Sequence, residues 1–417
     1  MPRQARLLVL SQLFPNDADP VAGLFIRERM FRVGEHIPIA VVAPQPWFPL
    51  QGLIRRFRAH FRPPAPRFEI MQGIEVHRPR FICFPGILKW ADGFFLALCS
   101  LPTVRRLVRK HGLNILDAHF GYPDGHAGVL LGRWLRLPVV ITLRGKEERQ
   151  ARTEVASRLR HAIVRADRLV CVSEALKKVA IGLGADEARV TVIGNGIDLA
   201  KFSPVARDEA RRTLELPLDA KVIVSVGGLI ERKGFHRVIE CLPALLGRHP
   251  DLHYLIVGGA GPAGDMSAQL RRQVAALGLA ERVRFLGPYP PERLKIPLSA
   301  ADVFVLATSY EGWANVFLEA MACGLPVVTT RVGGNAQVVS SPKLGKIVEY
   351  GDQDALTEAI SAALVHQWDR EHILQYARSN AWERRIPALL EVFNQVLQRR
   401  TRPEAGGEAA GAGANRG

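Results

Sequence analysis

Residues 307–334, with the sequence ATSYEGWANVFLEAMACGLPVVTTRVGG, constrain the fold of this chain more than any other segment. An apolar run at 302–306 predicts a strand that ends where this segment begins. A short polar loop follows, after which a helix is predicted over about 315–323 and a second strand over 326–330. This order predicts one strand–helix–strand unit of an α/β fold.

Two acids of this segment lie where they could bind one ligand. Glu311 is in the loop, and Glu319 lies eight residues later, inside the helix. Asn315 is a suitable N-cap for that helix and Gly324 a suitable C-cap. Because a helix N-terminus offers free backbone N–H groups, we expect a phosphate to bind beside the loop. The alternative is an ordinary surface turn and an amphipathic helix whose acids are solvated.

The spacing of these acids resembles that of a known family. Glu311, seven residues, and then Glu319 followed by Ala-Met-Ala-x-Gly-x-Pro-Val resemble the nucleotide-sugar site of family-4 glycosyltransferases, with Gly324 and Pro326 in register. The resemblance covers about residues 5–398. It implies the GT-B fold, in which two α/β Rossmann-like domains face each other across a cleft and a C-terminal helix crosses back to the first domain. It also implies a retaining, metal-independent hexosyltransferase that uses a UDP-sugar or GDP-sugar as donor and needs no cofactor.

Strand and helix patterns alternate in both halves of the 417-residue chain, which predicts two domains. The last helix is predicted over 370–399, and its end is assigned to the crossing element. We expect the following units: an acceptor-side Rossmann-like domain at 1–205, a nucleotide-sugar-binding Rossmann-like domain at 206–380, the crossing helix at 381–400, and a disordered tail rich in Gly and Ala at 401–417.

Four candidate site residues of the first half follow strands, where parallel α/β sheets hold their ligands. The resemblance implies that Gly23, in the first loop, contacts the donor and that His119 faces the donor sugar as a catalytic residue. At position 144 the family more often has histidine. We therefore expect Arg144, together with Asp124, to contact an anionic acceptor or a phosphate. A purely structural role is the alternative for His119, Asp124 and Arg144.

The candidate donor site of the second half combines cations, backbone donors and the two acids. Lys233 follows a strand predicted over 221–229 and can neutralise a diphosphate without a metal. The family has an arginine where this chain has Gly228, and Arg232 could replace it. The resemblance implies that Glu311 binds hydroxyls of the donor sugar and acts in catalysis with Lys233, and that Glu319 binds the ribose. The remaining donor-binding candidates form the loop and the helix start: Gly312, Trp313, Ala314, Asn315 and Val316.

The charge of +16 is concentrated in the first half. Residues 1–200 contain 30 Lys and Arg against 17 Asp and Glu, whereas the remainder contains 26 against 23. A helix predicted over 50–62 carries leucine and phenylalanine on one face and arginine elsewhere, a composition typical of interfacial helices. We therefore expect a lipid-linked or cell-surface glycan acceptor and an anionic membrane surface as partners, and no nucleic acid. The alternative is a generally basic composition with a solvated helix face.

We expect a protein that is not exported. Its five cysteines are scattered and odd in number, which argues against a disulfide framework or a zinc site. The run at 7–10 is too short for a signal peptide, and 93–101 is far shorter than a membrane span. We expect a cytoplasmic protein, peripheral on the inner face of the plasma membrane.

Two other functional classes remain as alternatives. Residues 259–264 match the dinucleotide pattern Gly-x-Gly-x-x-Gly, but the next strand, over 283–287, ends without the acid that would hold a ribose. The chain could also be a basic glycan- or membrane-binding protein without activity. Asp17 and Asp19 form an Asp-x-Asp pair, which we interpret as solvated turn acids and not as a metal site.

Overall fold

The computed structural model describes residues 4–20, 22–49, 51–57, 65–261 and 264–401. The strands are β1 (Leu7–Leu10), β2 (Ile39–Val42), β3 (Gln45–Trp47), β4 (Phe68–Met71), β5 (Ile74–His77), β6 (Arg80–Ile82), β7 (Ile115–His119), β8 (Val139–Leu143), β9 (Arg168–Cys171), β10 (Val190–Val192), β11 (Lys221–Val226), β12 (Leu252–Val257), β13 (Val283–Gly287), β14 (Val303–Leu306), β15 (Val327–Thr330) and β16 (Gly345–Val348). The helices are α1 (Leu24–Gly34), α2 (Gln51–Phe57), α3 (Asp92–His111), α4 (His126–Leu135), α5 (Glu147–Gln150), α6 (Ala156–Arg165), α7 (Glu174–Gly182), α8 (Arg207–Thr213), α9 (Phe235–Arg248), α10 (Ser267–Ala276), α11 (Lys295–Ala300), α12 (Asn315–Ala322), α13 (Asn335–Val338), α14 (Gln353–Val365), α15 (Arg370–Ser379) and α16 (Trp382–Thr401).

The first half is built on a sheet in the order β10-β9-β8-β7-β1-β2-β5-β4, parallel except where β4 meets β5. Its central strands are apolar on both faces because helices cover both sides. Leu8 and Leu10 pack in the cluster that includes α3, α4 and α6, whereas Leu7 and Val9 pack in the cluster that includes α1 and α16. Successive side chains of β1 therefore pack against two different helix layers, one on each face of the sheet.

The second half is built on a parallel sheet in the order β13-β12-β11-β14-β15-β16. Numbered within this half, the order is the 3-2-1-4-5-6 of a Rossmann domain, whose ligands bind where the order reverses, beyond the ends of β11 and β14. The predicted pair of Rossmann-like domains is confirmed.

The C-terminal helix returns to the first domain, as predicted. Trp382, Ile386 and Phe393 of α16 are buried in the same cluster as α1 and β1. The single helix predicted over 370–399 is wrong, however, because the chain breaks between α15 and α16. At the break, Ile197 N donates to Asn380 O at 3.1 Å and Trp382 N donates to Ile197 O at 3.2 Å. The break lets the backbone pair with the end of the first domain.

The stretch 74–82 forms two strands, because β5 pairs with β2 while β6 pairs with β3. Two predicted elements extend beyond the described residues. The helix predicted over 50–62 is described only as α2, and residues 50 and 58–62 lie outside the described residues. The predicted tail lies outside them as well, from residue 402 on. Within the described residues, no helix is both long enough and apolar enough to cross a membrane.

Candidate active site

The loop between β14 and α12 touches the first domain, so the cleft is closed at this point. The Tyr310 hydroxyl donates a hydrogen bond to Gly145 O. A Cβ on Gly312 would lie 2.4 Å from Arg144 O, so the close approach requires glycine. Across the same cleft, Asn195 Nδ2 donates to Asn315 Oδ1 at 2.9 Å. The two domains thus meet at the segment that the sequence singled out.

Two cations converge on Glu311. Lys233 Nζ lies 2.6 Å from Glu311 Oε1, and Arg232 Nη1 lies 2.9 Å from the same oxygen. Arg232 Nη1 also donates to Tyr310 O at 2.6 Å. Arg232 therefore points into the site. It supplies a cation there, whereas this chain has Gly228 at the position of the family's arginine. The cluster holds one more positive than negative charge before any ligand binds.

The start of α12 differs from its prediction in a way that favours anion binding. Asn315 is the first helical residue and not the N-cap, and its side chain accepts from Asn195 across the cleft. Ala314 occupies the cap position, and no side chain in the described part of the chain caps the helix. The first backbone N–H groups therefore lack a side-chain acceptor, and a phosphate could take that place.

The helix α12 ends at Ala322 with Cys323 at the C-cap, one residue before Gly324, which the sequence predicted for that position. Gly324 has a φ of +79°, which favours glycine. Leu325 N donates to Ala320 O and Gly324 N to Met321 O, so the last carbonyls of the helix are paired.

Glu319 lines a cavity of about 190 Å³ between the domains. The cavity lies between Phe25 of the first domain, Trp382 of the crossing helix and Tyr289 of the second domain. Burial raises the pKa of Glu319 to about 7, and the charge of Lys233 opposes that rise. Among the described residues no donor is hydrogen-bonded to this carboxylate, so both oxygens are available to a ligand.

Three other charged side chains of this cavity were not predicted from the sequence: Glu28, Asp198 and Lys201. Burial favours the neutral form of Glu28, but hydrogen bonds from Arg32 and Lys201 lower its pKa to about 2. Asp198 also pairs with Arg32, at 2.6 Å. The contact of Asp198 with α1 joins residues far apart in the sequence, so the sequence pattern gave no signal for it.

Trp313 and Val316 pack inside the domain contact. The ring of Trp313 lies against Gly194, where a Cβ would approach it to 2.5 Å. Both side chains are buried, as is Ala314. Their predicted contacts with a donor stay predictions, since the structure places these three side chains against protein.

His119 is enclosed by protein, whereas the family resemblance predicted that it faces the donor sugar. Its Nδ1 accepts from Arg144 Nε at 3.1 Å, and its Nε2 lies 3.3 Å from Asp117 Oδ2. Burial lowers the pKa of His119 to about 4, and the charges of Arg144 and Arg29 add to this while Asp117 opposes it. The imidazole is therefore neutral at pH 7 and holds Arg144 in place.

Arg144 belongs to the same buried polar cluster. Its Nη1 donates to Asn195 Oδ1 at 3.1 Å, and burial, aided by the charge of Arg29, lowers its pKa. Arg29 itself donates from Nη2 to Ile193 O at 2.7 Å. The sequence contained two unused signals for this cluster: a charged residue on the apolar face of α1, and Asp117 inside the apolar strand β7.

Asp124 is buried and holds a loop, and its predicted contact with an acceptor or a phosphate stays a prediction. Its Oδ1 accepts from Gln12 N at 2.6 Å, which ties the loop after β1 to the turn after β7. Burial raises the pKa of Asp124 to about 7. Glu147, which the sequence did not single out, plays a similar part by accepting from Gly145 N at 2.7 Å and Gly121 N at 3.0 Å.

Gly23 lies where the chain leaves the loop after β1 and enters α1. Its φ is +67°, and a Cβ would lie 2.2 Å from Leu13 O. This crowding requires glycine whether or not a donor binds there, so its predicted donor contact stays a prediction.

Comparison with known proteins gives one family for both domains. Residues 206–380 match the model of Glycosyl transferases group 1, and residues 40–201 match that of Glycosyltransferase Family 4. The chain belongs to the family-4 glycosyltransferases. Its structure is accordingly the GT-B fold, and its activity class is glycosyl transfer.

Individual relatives align with this family-4 glycosyltransferase over most of its length. It is 32% identical over 327 residues to a D-inositol 3-phosphate glycosyltransferase of Corynebacterium urealyticum, covering 73% of this chain and 76% of the relative. It is 28% identical to a putative teichuronic acid biosynthesis glycosyltransferase, TuaC, of Bacillus subtilis, covering 85% and 88%. The crystal structure of Anabaena HepE in complex with UDP superposes with a TM-score of 0.68 at 20% identity, covering 95% and 99%, and shows the shared fold.

Proposed function

We propose that the protein transfers a hexose from a UDP-sugar or GDP-sugar to a lipid-linked or cell-surface glycan acceptor, with retention and without a metal or cofactor. The observation that carries this proposal is the convergence of Lys233 and Arg232 on Glu311, together with the carboxylate of Glu319, on which the charge of Lys233 also acts. UDP in the complex of HepE supports uracil as the base. The name of TuaC supports an anionic glycan as the acceptor, in keeping with the basic first half.

The cations have a clear task in such a reaction. When the sugar leaves, negative charge builds on the diphosphate, and preorganised donors stabilise it. Lys233, Arg232 and the uncapped start of α12 are suited to that charge. The incoming diphosphate would replace Glu311 as the partner of both cations. Glu311 would then be released to accept hydrogen bonds from hydroxyls of the donor sugar.

Glu319 is suited to the ribose. Its two oxygens can accept from two neighbouring hydroxyls, and they face a cavity that also contains the ring of Tyr289. The ionised form is the better acceptor. Because the pKa of Glu319 is about 7, donor affinity should rise as the pH increases through neutrality.

The transfer itself needs no nucleophile from the protein. In the proposed reaction the acceptor hydroxyl attacks the anomeric carbon on the face from which the diphosphate leaves, and a phosphate oxygen takes the hydroxyl proton. The C–O bond to the diphosphate breaks as the new C–O bond forms. His119 does not move this proton in the proposal, because both of its nitrogens face protein groups; it is a positioning residue for Arg144.

The two alternatives are less well supported. The glycine pattern at 259–264 follows β12, whereas a dinucleotide would be expected beyond β11, where the strand order reverses. A binding protein without activity would have no need for two cations and two acids at the cleft. We place the proposed enzyme in the cytoplasm, peripheral on the inner face of the plasma membrane, where such an acceptor would be reached.

The test is a thermal-shift panel with UDP, GDP, ADP, CMP and NAD on wild type, Glu319→Ala and a control. Glu358→Ala is a suitable control because Glu358 is an exposed acid of α14 that pairs with Arg248. A ligand at about 100 times its Kd stabilises by about 2.7 kcal/mol. We expect this from one nucleoside diphosphate in wild type and control, and not in Glu319→Ala. Stabilisation by NAD alone, or by nothing, would contradict the proposal.

A further inference from the structure

The helix layer α3, α4 and α6 gives the first domain a strongly basic outer surface. The three helices pack side by side on one face of the sheet, and their apolar side chains share one cluster. Their one acid, Asp92, is paired with Lys89 at 2.8 Å. The cations of the three helices are Arg105, Arg106, Arg109, Lys110, Arg133, Arg158, Arg160 and Arg165.

Large apolar side chains protrude from the same layer, where α3 begins. Trp90, Phe94 and Leu98 are spaced by four residues and form a ridge. Ile87 and Leu88 extend the ridge along the chain before the helix. All five side chains are between 45% and 61% exposed. We call these five residues the apolar ridge.

A cavity lies beside the ridge and combines both kinds of chemistry. Its volume is about 550 Å³, and Trp90, Phe94, Leu130 and Arg158 are among the residues that line it. The Arg158 guanidinium lies 5.8 Å from the centre of the Trp90 ring. Burial lowers the pKa of His161 in the same wall, and Arg165, Arg158 and Arg133 lower it further. The surroundings of the ridge are therefore positive.

We propose that the apolar ridge and the cations around it dock the protein on a bilayer that contains anionic phospholipid. Aromatic and aliphatic side chains enter the boundary between headgroups and acyl chains, while Arg and Lys contact the negative headgroups. A soluble acidic glycan would bind the cations and leave the ridge in water. A second copy would bring the same cations against themselves in a symmetric contact, which like charges oppose.

The apolar ridge lies at the cleft side of the first domain. Tyr122, in the turn after β7, donates through its hydroxyl to Lys89 O, and Gly93 N donates to the same hydroxyl at 3.2 Å. These contacts tie the start of α3 to the edge at which the strands of the first sheet end. Docking there would place the mouth of the cleft beside the headgroups. The proposal depends on no step of the sugar transfer, so either can fail without the other.

The test is co-sedimentation of the full chain with vesicles of phosphatidylcholine alone or mixed equally with phosphatidylglycerol. We expect binding to the mixed vesicles only, and release at high salt. Trp90→Ser with Phe94→Ser should lower the vesicle partition coefficient about tenfold. Arg133→Glu with Arg158→Glu, at the cations that act on His161 in the cavity wall, should lower it at least tenfold, since each cation contributes roughly a fivefold factor near such a surface.

The controls are matched substitutions on the second domain. Val365→Ser removes an exposed apolar side chain, and Arg272→Glu reverses an exposed cation; neither should change the partition. Thermal unfolding would show that all variants are folded. Equal binding by wild type and both double variants would overturn the proposal. So would salt-independent binding to phosphatidylcholine alone, or a lipid-free dimer that the ridge variant dissociates.

Discussion

At the residue scale, Asp124 makes the stability of the protein depend on pH. Its pKa in the folded protein, about 7, lies above the ordinary value of 3.8, because burial disfavours the carboxylate. The folded chain therefore holds a proton that the unfolded chain releases between about pH 4 and pH 7. This contribution to stability is full below that window and is lost as the pH rises through 7. A shift of this size corresponds to on the order of 4 kcal/mol.

Asp124→Asn isolates this effect, because the amide oxygen can still accept from Gln12 N. We expect Tm of the variant to fall less than that of wild type between pH 5 and pH 8, measured by calorimetry. Asp219→Asn, at an exposed acid, should leave the wild-type profile unchanged. Glu319 contributes in the same direction and His119 in the opposite one, so the difference between the profiles is the quantity to compare. Parallel profiles for wild type and Asp124→Asn would contradict the assignment.

At the scale of elements, α16 stabilises the domain that it does not follow in sequence. Phe393 is 1% exposed and packs in the core of the first domain. Phe393→Ala should lower the free energy of unfolding by about 3–5 kcal/mol, as large buried aromatic truncations do. Hydrogen exchange should quicken in β1 and β2 while β11 and β12 keep their protection. Glu391→Ala, on the exposed side of the helix, is the control; loss of protection in the second sheet alone would refute the assignment.

The elements also show which features of the fold could be predicted from the sequence and which could not. Strand β13 was predicted at its observed bounds, because a short apolar run between turns is a local signal. The break before α16 was not predicted, because it depends on Ile197, almost 200 residues earlier. By contrast, Glu311 and Glu319 were predicted as ligand-binding acids from their spacing, which is visible along the chain. Asp117 lies two residues before His119 on β7, so their shared face follows from the alternation along a strand. The contact of His119 with Arg144 depends on the pairing of β7 with β8 and could not be inferred from position along the chain.

At the scale of the whole molecule, the closed cleft depends on the absence of a side chain at position 312. A Cβ there would lie 2.4 Å from Arg144 O, and backbone cannot yield as a flexible side chain does. Gly312→Ala should therefore hold the domains apart and enlarge the radius of gyration in solution scattering. Gly247→Ala, in α9 with open space around it, is the matched control and should leave scattering unchanged. Misplacement of the first domain by about 1 Å should also lower kcat of Gly312→Ala on the order of 100-fold. A wild-type scattering curve for Gly312→Ala would mean that the two domains do not close on this contact.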